Sequence, residues 1–271
     1  MNMDETEEKE YIEDELMHLD DVEIIDFEDI NLSNAKVIVG FPSIGMVSTI
    51  VANYLIDALD LKQIGALNSA EFPTLSVVHT GEPLSPVRIY AGTLKTGEKI
   101  AVFVSEFKPK SHLINSISNT VMEWVSEKGC NLLISPEGMI VEGKKDKLSD
   151  KENIADAYAI GSTEKARGII RKKKIPQFKN GVIAGVSGVL LNIGKQAGFD
   201  VISILAEAHP DIHDAGAAAS ALNVIAKITG VEINIGPLYD EARRIEKQLQ
   251  KFHRQAKPMA PGQASQPSMY E

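Results

Sequence analysis

The turn Gly-Val-Ser-Gly at 185–188 places Ser187 between an apolar run and a helical pattern, where an α/β hydrolase keeps its nucleophile. That elbow requires a glycine two residues after the serine, and position 189 is Val189. An acid and an imidazole follow in order, at Asp200 and at His209 or His213, but order alone is a weak signal. A second cluster, His-Pro-Asp-Ile-His-Asp, gathers His209, Asp211, His213 and Asp214, which are metal-ligand types. Pro210 disturbs any i, i+4 helical presentation of the two histidines, so a polar loop with Asp214 or Asp211 capping the next helix is the better reading. His79 and His112 stand alone.

Glu71, Glu106 and Glu137 each fall near the end of a β-rich run, the edge of an open α/β sheet where ligands bind. The three together would surround a cleft, yet acids without a base or an electrophile specify no reaction. Two glycine-containing turns, Gly-Phe-Pro-Ser-Ile-Gly at 40–45 and the one at 185–188, expose backbone N–H groups at a helix start and suit phosphate or carboxylate. Neither has the spacing of a dinucleotide-binding turn, and no G-x-x-x-x-G-K-[ST] occurs in the chain. Glycine for tight turns and close helix packing accounts for both. No catalytic residue, metal site or cofactor is expected, an enzyme being the alternative reading.

The elements that must position these residues are legible from periodicity. Ala-Lys-Val-Ile-Val-Gly-Phe at 35–41 is a continuous apolar run, the mark of a strand buried on both faces. It leads into a helix in which Val47, Ile50, Val51, Tyr54, Leu55 and Ala58 recur at helical spacing. Short β-rich runs follow, with Thr96-Gly97-Glu98 as a hairpin turn between two of them. A helix over 112–128 is stopped by Gly129, and Asn-Leu-Leu-Ile-Ser-Pro-Glu-Gly is the next buried strand. The strand-to-helix theme recurs at 156–174, at 180–198 and from 199 through the small-residue helix ending near Gly230. Arg171 to Lys174 is a basic, solvated helix end. The alternation predicts one three-layer α/β domain over 34–235, mainly parallel with some hairpins.

Charge divides the chain differently. The formal net charge is −10, yet residues 1–30 contain fourteen acids and one Lys, for −13, leaving the remainder at +3. Mutual repulsion makes residues 1–33 an acidic mobile arm, with Val22, Ile24, Ile25 and Phe27 able to dock instead as an edge strand. No dense basic face argues for nucleic acid, and no apolar run is long enough for a membrane. A single cysteine, Cys130, and the absence of a secretory signal suit the cytoplasm, with Cys130 a small buried side chain. After Pro237, a helix over 236–255 carries Leu238, Ala242, Ile245, Leu249 and Phe252 at spacings of 4, 3, 4 and 3, a short coiled-coil seam. It packs on its own domain or on another subunit. Residues 256–271, rich in Pro, Gly, Gln and Ser, read as a flexible tether.

Val-Ile-Val-Gly-Phe-Pro-Ser-Ile-Gly-Met-Val-Ser at 37–48, Glu-Phe-Pro at 71–73, Arg-Ile-Tyr-Ala-Gly at 88–92 and Ile-Ser-Pro-Glu-Gly-Met at 134–139 carry a resemblance to the archaeal branch of the proteasome assembly chaperone family. It covers roughly residues 35–230. The resemblance implies an α/β/α sandwich with a mostly parallel mixed sheet, similar to nucleoside phosphorylases. It implies no reaction, a homo-oligomer, and binding to the α subunits of the core (20S) proteasome. Proteins that dock on the α ring often end in a hydrophobic residue, a Tyr and any residue, and Met269-Tyr270-Glu271 resembles that signature. The implied role is an assembly chaperone or an activator that opens the entry gate without ATP.

Overall fold

The computed structural model describes residues 22–140 and 157–240. One eight-stranded sheet forms the middle layer, in the order β1-β3-β6-β7-β2-β8-β10-β9. These strands are β1 Glu23–Asp26, β2 Lys36–Gly40, β3 Lys62–Asn68, β6 Val87–Thr93, β7 Lys99–Ser105, β8 Leu132–Met139, β9 Ala157–Gly161 and β10 Val201–Glu207. β4 Val77–His79 and β5 Glu82–Leu84 make a separate hairpin. The pairings β7·β2, β2·β8 and β8·β10 are parallel, and antiparallel strands flank this parallel centre on both sides. It is a mixed, mostly parallel sheet, because β3 also runs with the central four.

Among the described residues, five helices cover the sheet: α1 Val47–Ala58, α2 Leu113–Glu127, α3 Glu164–Lys172, α4 Gly185–Ala197 and α5 Ala215–Thr229. Two buried clusters separate the layers. Ile38, Val102, Ile134 and Ile204 pack with Val51, Leu55, Ile170 and Leu222 under α1, α3 and α5. Val37, Val39, Phe103 and Leu133 pack with Ile117, Val121, Trp124 and Leu190 under α2 and α4. The continuous apolar run of β2 is thus required: successive side chains alternate faces, and helices lie on both. Phe103 and Trp124 meet edge to face, with ring centroids 5.2 Å apart.

The Thr96–Glu98 turn joins β6 to β7 as expected, with Gly97 at φ +92 and Leu94 N–H donating to the Glu98 carbonyl at 2.7 Å. Gly129, at φ +66, ends α2. Thr163 caps α3, accepting from Ala166 N at 3.0 Å, and Arg171 and Lys172 fall in its last turn. Cys130 is buried, and desolvation pushes its thiol up to about 11.

Two expectations need correction. The sheet begins inside the stretch read as an acidic arm, and the alternative edge strand is what forms: β1 pairs antiparallel with β3. Repulsion is overcome there because Asp26 accepts from Trp124 Nε1 at 3.0 Å and pairs with Lys128 at 2.9 Å. Residues 1–21 lie outside the described part. The second correction concerns 180–184, read as a strand leading into α4. No strand forms there. The place beside β10 is taken by β9, running antiparallel, and Val182 is left 92% exposed.

Candidate functional site

The parallel strands β2, β8 and β10 end on one edge, and three loops rise there to enclose a cleft of about 420 Å³. The first loop, 41–46, follows β2. Gly45 and Met46 both take left-handed backbone, at φ +62 and +53, which turns the chain sharply into α1. The Ser43 hydroxyl ties this loop down. It accepts from Gly138 N at 3.3 Å and lies 2.7 Å from Ser48 Oγ, which in turn sits 2.6 Å from the Pro136 carbonyl. Gly138 is required by this approach, since a Cβ there would fall 1.9 Å from the Ile44 carbonyl oxygen. The second loop brings Lys108 and Pro109, and the third brings Phe178 and Val182 to Gly185 at the start of α4.

Glu137, near the end of β8, is the acid of this cleft. Ser187 Oγ donates to its Oε1 at 2.6 Å, and Ser187 in turn contacts Ser135 Oγ. Burial pushes the Glu137 carboxyl up to about 7, against the lowering influence of the Ser187 hydrogen bond and of the Lys108 charge. Ser203 on β10 pairs in register with Ser135, and its hydroxyl is buried without a partner among the described residues. A polar thread therefore runs from the cleft floor beneath α4, through a layer otherwise apolar. Periodicity missed it. The available signal was the pair Ile-Ser-Pro and Ile-Ser-Ile, each placing a serine inside a buried strand.

The other sequence candidates separate. The 40–45 and 185–188 turns do come together as walls of the cleft. Glu71 and Glu106 do not line it: Glu71 pairs with Lys110 at 3.4 Å and His112 at 3.5 Å, and Glu106 pairs with the buried Arg88. Ser187 is fully buried and faces an acid rather than an imidazole. Asp200 is engaged by Thr163 and by Lys165 at 2.8 Å, so no hydrolase triad assembles among the described residues. Asp214 is the cap: Oδ1 accepts from Ala217 N at 2.9 Å, and Oδ2 takes His209 N at 3.0 Å and His209 Nδ1 at 2.9 Å. His79 stands in the exposed β4. Leu238 packs into the chain's own core beside α5. Ala242, Ile245, Leu249 and Phe252, with Met269, Tyr270 and Glu271, lie outside the described residues.

A three-layer α/β/α protein with a cleft at the carboxyl edge of its parallel strands is the class these features define. The chain belongs to the PAC2 family, whose model matches residues 37–253. It is 28% identical over 240 residues to MJ0106 of Methanocaldococcus jannaschii, covering 88% of this chain and 93% of that one. Pyrococcus furiosus PbaA, described as an archaeal homolog of proteasome-assembly chaperone, is 29% identical with a TM-score of 0.71, over 86% of this chain and 97% of PbaA. Pyrococcus furiosus PbaB, described as an archaeal proteasome activator, superposes with a TM-score of 0.74 at 23% identity, over 86% of this chain and 99% of PbaB. At that identity the likeness to PbaB is one of fold.

Proposed function

We propose that this protein binds the core proteasome, as an assembly chaperone or an ATP-independent activator, by docking Met269-Tyr270-Glu271 into pockets of the α ring. Membership of the PAC2 family, with PbaA among its relatives, is the observation that carries the choice of partner. The chemistry of the three residues supports the mode. Tyr270 offers a flat apolar ring and a hydroxyl that needs a partner when buried. Met269 adapts to an apolar wall, and Glu271 brings negative charge to a basic pocket.

In this reading residues 23–235 are the body, the sheet beginning at β1; 236–255 is a helix that packs on the body through Leu238 and through whose later positions copies associate; and 256–271 is a tether. The acidic residues before the body keep the cytoplasmic oligomer soluble. A small-molecule enzyme is the weaker reading, because the cleft brings Ser187 to Glu137 without an imidazole. Co-sedimentation with core proteasome tests the proposal. The intact chain should sediment with it and Tyr270→Ala should not, with both eluting alike on size exclusion. Retained binding by Tyr270→Ala removes the tail from the mechanism; failure of the intact chain removes the partner. Faster hydrolysis of a fluorogenic peptide by the core particle in its presence marks an activator rather than a chaperone.

A further inference from the structure

Glu137 has one carboxyl oxygen occupied and one open. Oε1 receives the Ser187 hydroxyl, whereas Oε2 has no hydrogen-bond donor among the described residues, on a side chain that lines the cleft. Ser187 is itself held by Ser135 under α4, which anchors the Oε1 side of the carboxyl. The walls around it are apolar: Phe41, Ile114, Phe178, Ile183 and Val186 all line the space. Its volume falls within the range of small-molecule sites, about 300–1,000 Å³. The rim is apolar too, with Ile44, Ile140 and Val182 exposed.

The geometry points to a binding site for a small organic cation, its basic nitrogen donating to Glu137 Oε2 and its apolar body filling the cleft between the 41–46 loop and the start of α4. A half-buried carboxylate with one oxygen facing an apolar cleft gains from a ligand that supplies both charge and donors. Carboxylates and phosphates are disfavoured by the same group, despite the helix start nearby. Lys108, the basic residue of the lining, is exposed, and its charge, which lowers the Glu137 carboxyl, also opposes a cationic head, so the direct pairing with Glu137 has to outweigh it. The site stands on the body of the protein and does not depend on whether the tail docks.

Benzamidine, benzamide and benzoate share one apolar ring and differ in the head, and isothermal titration with each on the full chain tests the site. Benzamidine should bind with millimolar affinity and the other two more weakly. Its affinity should be about tenfold lower at pH 6 than at pH 8, because Glu137 titrates near 7 and only its ionised form pairs with the amidinium. Glu137→Gln should lose about tenfold at pH 8 and abolish the pH dependence. Ala184→Trp, which adds an indole to an exposed position lining the cleft, should block benzamidine while leaving the urea midpoint unchanged. Equal binding of benzoate or benzamide, an indifferent Glu137→Gln or Ala184→Trp protein, or no saturable binding of benzamidine overturns the site.

Discussion

Glu137 carries a cost that its neighbours only partly offset. A carboxyl ordinarily near 4.5 titrates at about 7 here, with burial outweighing the Ser187 hydrogen bond and the Lys108 charge. The folded protein therefore holds a proton that the unfolded chain releases, and stability contributed by this group falls as pH rises from 4.5 through 7. Below that window both states are protonated; above it the loss is complete. Glu137→Gln removes the titration, so its stability relative to the native sequence should improve between pH 4.5 and pH 8 by an amount on the order of 1–3 kcal/mol. Urea unfolding at the two pH values reads this difference, and any constant effect of the amide cancels. A pH-independent difference would mean that water reaches the carboxyl.

Elements meet at the cleft because short loops are pinned by single groups. Gly138 lets β8 approach the Ile44 carbonyl, and Asp214 couples the end of β10 to the start of α5. Asp214 N also donates to the Gly45 carbonyl at 2.8 Å, so the cap and the 41–46 loop share one residue. Asp214→Ala should cost about 2 kcal/mol in urea unfolding, the upper end for a helix cap, since His209 N loses its acceptor as well. Asp214→Asn, which keeps an acceptor for Ala217 N, should lose less. Equal losses would show that charge, rather than capping, is what Asp214 supplies.

At the scale of the whole molecule, the proposed tail works through number. One three-residue anchor on a tether makes few contacts and pays for its ordering, so a single tail binds weakly. With copies associated as proposed, several tails would raise their effective concentration at the α ring, for an expected gain of about 100-fold or more. A synthetic peptide of residues 256–271 should accordingly bind core proteasome about 100-fold less tightly than the full chain, measured by competition. Equal affinities would leave the oligomer without a part in binding.

The strands and helices of the layered body were legible because their signals are local: a doubly buried run for β2, helical spacing for α1, a glycine after α2. The hairpin at Gly97 and the capping role of Asp214 were legible for the same reason. The edge strand β1 was legible only as an alternative to a mobile arm, and the loop at 180–184 was not, because each depends on which segment wins a place beside the sheet, and pairing is settled by distant partners such as Trp124 and β9. Met269-Tyr270-Glu271 is a chemical pattern read from the sequence alone and lies outside the described residues. What only the tertiary structure decided is that Glu137, alone of three similar acids, faces a cleft with one oxygen open. Environment, not residue type, separates it from Glu71 and Glu106, and environment is made by chain segments far apart in the sequence.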